Sequence, residues 1–266
     1  MKMPAHQALS TATLSVRLGG RTVVDGVSFA LDPGQFVALV GPNGAGKTSL
    51  LRALAGLIPA TGTIRLGDTP LDRLTLKERA RCMAYLPQGH EVHWPLLVRD
   101  VVALGRYPHG VADPARLGLA DEAIVADALR RCDATAFAER EIQTLSGGER
   151  ARVMMARVFA VESPVLLADE PTAALDPRHQ LMAMQALKAE AGRGALVIAI
   201  THDLTLAARM ADRIMVMSEG RLVANGRPRD VLSQALLADV YGIQAAIIDH
   251  EGEMLLQPWG LHEAER

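Results

Sequence analysis

Long apolar runs are missing from this 266-residue chain. Although 49% of its residues are hydrophobic, no run approaches the ~18–20 residues that a helix needs to cross a bilayer. A membrane-spanning subunit is therefore not expected. Cysteine is nearly absent too: Cys82 and Cys132 stand apart with no C-x-x-C pairing. That excludes a thiolate zinc module and fits small core or surface residues in a reducing cytosol. Neither sign of charge dominates, with a net charge of −2 and a pI near 6.5, so a basic footprint for nucleic acid is lacking. The opening MKMPAHQALSTATL carries no apolar secretory segment, and export is not expected. Repeats, low-complexity stretches and a long coiled coil are also missing. The length suffices for one large domain, or a core with a subdomain.

What is present begins with GPNGAGKT at Gly41–Thr48. Gly41, Gly46, Lys47 and Thr48 satisfy G-x-x-x-x-G-K-[ST], and Pro42, Asn43, Gly44 and Ala45 fill the loop. An apolar, strand-like run Phe36–Val40 precedes it and a helix-like run Ser49–Leu57 follows. That context makes it a phosphate loop. Its glycines turn backbone N–H groups inward onto a polyphosphate, and the helix start adds positive potential. Lys47 supplies an ammonium for the β- and γ-phosphates, and Thr48 a hydroxyl for Mg²⁺.

Downstream, the apolar run Val165–Ala168 leads into Asp169-Glu170-Pro171. Four apolar residues ending in two carboxylates read as a buried central strand delivering acids to its C-terminal edge, where open α/β sheets bind ligands. Asp169 is then a partner of Mg²⁺, either directly or through a group that holds the ion, and Glu170 the group that polarises the attacking water.

Further motifs follow in a telling order. Gln88 stands in YLPQ, Leu145-Ser146-Gly147-Gly148-Glu149 opens a helical run, Ala174-Leu175-Asp176 follows the acids, and His202 stands in ITHD after the strand-like Leu196–Ile200. With these, the chain resembles the ATP-binding-cassette (ABC) ATPases from about residue 12 to residue 240. The resemblance implies a P-loop NTPase, α/β with a RecA-like, mostly parallel core sheet. It implies ATP as substrate and Mg²⁺ as cofactor, held by Thr48, Gln88 and Asp169. Glu170, Gln88 and His202 are the implied catalytic set. Gly41 to Ser49 would hold one ATP, while Ser146, Gly147, Gly148 and Glu149 would face the ATP of an opposite subunit. With one phosphate loop and one signature, the chain is expected to work as a homodimer of two-fold symmetry. One departure stands out: where many family members stack an aromatic ring on adenine, this chain has Leu18 in VRLGG.

Residues 13–31 alternate apolar and polar positions and predict antiparallel strands, continued by Thr63–Leu66 and Leu71. Val98–Gly105, Asp121–Arg131 and Gly147–Phe159 predict helices. Strands at Val165, Leu196, Ile214 and Leu222 alternate with helices near Arg178–Ala191 and Leu204–Ala211, the rhythm of a parallel sheet. Ala245–Asp249 and Glu253–Leu256 read as terminal strands. The division expected is a catalytic core with an antiparallel β subdomain (1–88 and 162–240), an inserted α-helical subdomain (89–161) and a C-terminal extension (241–266).

Gly89–Gly110, GHEVHWPLLVRDVVALGRYPHG, sets Trp94 and Tyr107 among His and Arg residues around a short amphipathic helix. Aromatic residues left near water suggest a partner surface, with core packing of Trp94 and a metal or haem site from His90, His93 and His109 as alternatives. In the family this region receives a helix of an integral membrane permease. The spacing from Gln88 through Trp94-Pro95 to Tyr107-Pro108-His109, with GRPRDVL at Gly226–Leu232 and VYG at Val240–Gly242, is similar to ATPases importing iron–siderophore complexes, haem or cobalamin. That similarity implies a permease dimer, a periplasmic substrate-binding protein reached indirectly, and a peripheral place on the cytoplasmic face of the inner membrane. An ABC exporter ATPase or a soluble non-transport ABC ATPase are the alternatives.

Overall fold

A computed structural model describes residues 7–89, 94–173 and 175–262. The chain starts with β1 (Leu9–Leu18) and β2 (Arg21–Leu31), an antiparallel pair joined at Gly19-Gly20. β3 (Phe36–Val40) then runs into the phosphate loop and α1 (Lys47–Leu54), and β4 (Thr61–Leu66) and β5 (Thr69–Pro70) return to β1 in a sheet ordered β2-β1-β4-β5. Leu71 does not extend this sheet. It opens a 3-10 turn, Leu71–Arg73, and is buried there, because Pro70 has no N–H with which to prolong a ladder.

A helix not foreseen above, α2 (Leu76–Cys82), comes next; Thr75 and Glu78 close a capping box at its start. β6 (Met83–Leu86) leads into a helical stretch of α3 (Val98–Ala103), α4 (Leu119–Arg131) and α5 (Gly147–Phe159). The predicted helix over Val98–Gly105 ends early as α-helix and tightens into a 3-10 segment, Leu104–His109, with Pro108 inside it. α5 begins and ends where its pattern predicts, because Ser146 accepts from the Glu149 N–H while the Glu149 carboxylate accepts from the Ser146 N–H.

β7 (Val165–Ala168), α6 (Pro177–Gly192), β8 (Leu196–Ile200), α7 (Leu204–Met210), β9 (Arg213–Ser218) and β10 (Arg221–Gly226) complete the core. The central sheet is ordered β10-β9-β3-β8-β7-β6, parallel throughout except for the edge strand β10. Every residue of β3, β7 and β8 is buried, as a parallel sheet covered on both faces requires. The alternation is visible in β7 and β8. Val165, Leu167, Leu196, Ile198 and Ile200 pack toward α1 and the antiparallel sheet; Leu166, Ala168, Val197 and Ala199 pack toward the helical stretch and α6. A wholly buried side chain such as Leu167 contributes about 1.5–3 kcal/mol relative to exposure.

The chain closes with α8 (Pro228–Val231), α9 (Gln234–Tyr241) and an antiparallel hairpin of β11 (Ile243–His250) and β12 (Glu253–Leu261), both strands longer than predicted. This closing segment is packed onto the core: Leu237, Ala245, Met254 and Leu256 are buried with Val40, Ala207, Ala211 and Val216.

Candidate active site

The C-terminal ends of β3, β7 and β8 carry the residues singled out by motif. β3 delivers Gly41 with φ +149°, and a Cβ there would stand 2.1 Å from the Met217 carbonyl oxygen. Gly46, with φ +94°, precedes α1, and a Cβ on it would stand 2.3 Å from the Val23 carbonyl oxygen. Only glycine fits either place. Asn43 and Gly44 are exposed at the tip of the loop, Pro42, Thr48 and Ser49 are half-buried, and Ala45 is buried. The Lys47 ammonium donates to the Gly41 and Pro42 carbonyls at 2.7 and 2.8 Å, bent over the loop it starts from. Burial pulls the Lys47 ammonium down, with Glu170 and Asp169 opposing that shift.

β7 ends in the two carboxylates, and they point to different partners. Asp169 is wholly buried and accepts from the Thr48 hydroxyl at 3.0 Å and from the Tyr85 hydroxyl at 3.0 Å. Burial pushes its carboxyl up, and the hydrogen bonds from Tyr85 and Thr48 work against that rise. Glu170 has a left-handed backbone, φ +52°. For a non-glycine residue this costs of order 1–3 kcal/mol and is held by its surroundings. It accepts from Gln88 Nε2 at 2.8 Å and meets His202 Nε2 at 2.7 Å. An ionised carboxylate only accepts, so that imidazole nitrogen carries the proton. Three motifs separated by as many as 114 residues thus converge on one carboxylate.

Two hard oxygens, from Thr48 and Asp169, stand 3.0 Å apart at the edge of the phosphate loop. No group of three or more His, Cys, Asp or Glu among the described residues could hold a metal. This sparse oxygen set fits Mg²⁺, which keeps its waters and takes one or two carboxylates plus substrate phosphates. The donors fit ATP and Mg²⁺ together.

Sequence reasoning missed Tyr85. Its hydroxyl also accepts from Arg52 Nε at 3.4 Å, so α1 and β6 jointly orient Asp169. Tyr85 and Asp169 are 84 residues apart, and only the pairing of β6 with β7 brings them together. Because partners of a metal-binding carboxylate commonly affect affinity about 10- to 100-fold, Tyr85→Phe is expected to raise the Mg²⁺ concentration required for half-maximal ATPase about ten-fold, with turnover recovering in excess Mg²⁺. An unchanged Mg²⁺ titration would remove Tyr85 from this role.

Ser146 and Gly147 are exposed at the start of α5, where the first N–H groups of a helix have no intrahelical partner. The Glu149 carboxylate is turned back onto the Ser146 N–H. Of the motif Ala174-Leu175-Asp176, Ala174 lies outside the described residues, Leu175 is buried and Asp176 caps α6. Trp94 is 72% exposed and Tyr107 51%, so Trp94 is not a core residue. His90 and His93 lie outside the described residues, and His109 Nε2 is engaged with the Val161 carbonyl at 2.8 Å.

A family model described as ABC transporter matches residues 24–173, a span that takes in the phosphate loop, Gln88, the Ser146 turn and both carboxylates. The chain belongs to the ABC transporter family. Within that family it is an ATP-binding subunit, an ATPase. The hemin import ATP-binding protein HmuV of Streptomyces coelicolor is 43% identical over 258 residues, covering 96% of this chain and 91% of that protein. Its counterpart in Pseudomonas aeruginosa is 43% identical over 248 residues, covering 91% and 95%. Among solved structures, a metal-chelate type ABC transporter in an inward-facing conformation shares the fold, with a TM-score of 0.80 at 24% identity over 96% of this chain and 97% of that one. A dimeric ATP-binding cassette in a post-hydrolysis state with ADP and Pi has a TM-score of 0.71 at 26% identity over 83% and 99%.

Leu18 stands where the family resemblance expects an aromatic residue to stack on adenine. It ends β1 opposite Arg21, 43% exposed, and β2 runs on to Val23 against the phosphate loop. An aromatic contact is worth about 0.5–1.5 kcal/mol beyond its area. Leu18→Tyr is therefore expected to tighten ATP binding about five-fold and to widen the preference for ATP over GTP, measured by competition with a fluorescent nucleotide. Unchanged affinity and preference would remove Leu18 from the base site.

Proposed function

We propose that this ATPase powers uptake of haem or a chemically similar metal chelate through a separate permease. The observation that carries the reading is Glu170, held by Gln88 and His202 at the mouth of the phosphate loop, in a chain similar over nearly its whole length to hemin import ATP-binding proteins.

The geometry supports the following roles. Lys47 and the amides of the Gly41–Ser49 loop hold the phosphates of ATP, and Thr48, Asp169 and Gln88 would hold Mg²⁺. Mg²⁺ supplies neutralisation of phosphate charge when bound. Glu170 takes the proton of the attacking water, and Gln88 and His202 fix its two oxygens. Ser146, Gly147 and Gly148, supported by the Glu149 cap, present N–H groups to the ATP of a second copy of the chain. Phosphate contacts formed only in the closed homodimer supply the differential affinity that any ligand-driven switch needs. Opening after hydrolysis resets the permease dimer.

Residues 1–88 and 162–240 serve as the catalytic core with its β subdomain, 89–161 as the helical subdomain that meets the permease, and 241–266 as an extension. The exposed Trp94 and Tyr107 support that contact. No helix among the described residues is long and apolar enough to cross a membrane. The subunit sits on the cytoplasmic face of the inner membrane through its permease, and a periplasmic binding protein delivers cargo from the other side.

The test is to express Glu170→Gln in the native host, trap it with ATP and identify what co-purifies. A polytopic permease whose reconstituted ATPase is stimulated by a binding protein loaded with hemin is expected. Stimulation by a siderophore or cobalamin instead would overturn the cargo; recovery of ribosomes or an exporter would overturn import.

A further inference from the structure

We infer that Thr205 is a positioning residue for His202, acting as the clasp between the C-terminal hairpin and the helix that starts beside the reacting centre. The inference rests on the assignment of His202 to that centre.

α7 begins two residues after His202, and its start is tightly built. The Asp203 side chain accepts from the Leu206 N–H at 2.8 Å, and the Asp203 N–H donates to the Thr201 hydroxyl at 3.2 Å. The end of β8 and the direction of α7 therefore together set the place of His202, whose Nε2 lies 2.7 Å from Glu170. α7 itself is short, and an isolated helix of its length does not hold its orientation. Leu206 and Ala207 pack it on the core, and a directional tie comes from the far end of the chain. The Thr205 hydroxyl donates to the Leu256 carbonyl at 2.7 Å and accepts from the Leu256 N–H at 3.1 Å. One side chain thus satisfies both backbone groups of a residue on β12, as a neighbouring strand would. One turn on, Arg209 pairs with Glu253. Ala207 and Ala211 of the same stretch are buried with Met254 and Leu256.

The same extension reaches the other wall of the site. Tyr241, ending α9, is half-buried beside the Gly41 backbone without a hydrogen bond of good geometry. The closing segment thus spans the phosphate loop and the helix of His202, and Thr205 is its directional contact on the His202 side.

Thr205→Val keeps the shape and removes both hydrogen bonds. Since displacement of about 1 Å in a reacting geometry costs up to about 100-fold, kcat for ATP is expected to fall about ten-fold, with ATP KM changed less than about two-fold. Thr205→Ser, which retains the hydroxyl, should restore kcat to within about two-fold. A double-mutant cycle separates positioning from mere stability. Combined with His202→Ala, Thr205→Val should cost almost nothing further, because the two losses travel through one group. If His202→Ala slows turnover while Thr205→Val leaves kcat at the parent value, or if the two losses add in full, this inference is wrong and the reading of His202 stands. If His202→Ala itself is silent, that reading fails first. Should Thr205→Val not fold, Arg209→Gln, which releases the second tie, takes its place in the cycle with the same outcomes.

Discussion

Replacing Glu170 with Gln is expected to cut steady-state ATP turnover roughly a thousand-fold while leaving ATP affinity near the parent value, within the range that loss of a general base produces. The geometry says why the two quantities separate. Glu170 makes no hydrogen bond to the phosphate loop; its oxygens are taken by Gln88 and His202. An amide of the same shape can keep both partners, because His202 can shift its proton to the other ring nitrogen and accept from the new NH₂. The left-handed backbone, φ +52°, is unaffected by the exchange. What the amide cannot do is take a proton from water. Closed dimers should then persist with ATP, visible as a stable dimeric peak in size-exclusion chromatography that parent protein loses on turnover. Turnover within a few-fold of parent would remove Glu170 from the role of base, whatever the dimer did.

The parts of this site legible in the sequence are those written in local pattern. Gly41–Thr48 and Ser146–Glu149 each combine a turn, a helix start and their chemistry within a few neighbouring residues. α5 accordingly falls where its capping box and apolar spacing put it. The capping box Thr75…Glu78 was equally present and would have revealed α2. Its seven residues hold few apolar positions, so periodicity alone passed over it. Leu71 failed for the opposite reason: an apolar residue beside a strand was read as strand, whereas Pro70 ends the ladder. Tyr85 and Thr205 belong to a third group. Each acts through a partner 84 or 51 residues distant, and a Tyr or Thr on an ordinary element carries no local mark of it. Glu170 lies between these cases. Its motif announces the residue, but the strained backbone that aims it is held by Gln88 and His202, and only the assembled sheet brings those together.

Lys47→Ala is expected to fail at the earlier step, binding. Lys47 is 6% exposed, and its ammonium donates to two loop carbonyls while facing both carboxylates. It is thus a desolvated cation bent over the Gly41–Thr48 loop. Hydrogen bonds involving charged groups contribute about 1.5–3 kcal/mol each, and 1.4 kcal/mol is about a factor of ten. ATP affinity should therefore fall about 10- to 150-fold, measured by calorimetry. The same loss has a second readout. Ligand bound only to the folded state raises stability by RT ln(1 + [L]/Kd), so the ATP-induced rise in Tm should shrink in Lys47→Ala while Glu170→Gln keeps it. Lys47→Arg should not rescue, because a planar fork does not fit where a compact ammonium is packed against the Gly41 and Pro42 carbonyls. Parent-like ATP affinity in Lys47→Ala would mean that the loop amides alone hold the phosphates. Turnover would then depend on Lys47 only through the charge it places beside Asp169 and Glu170.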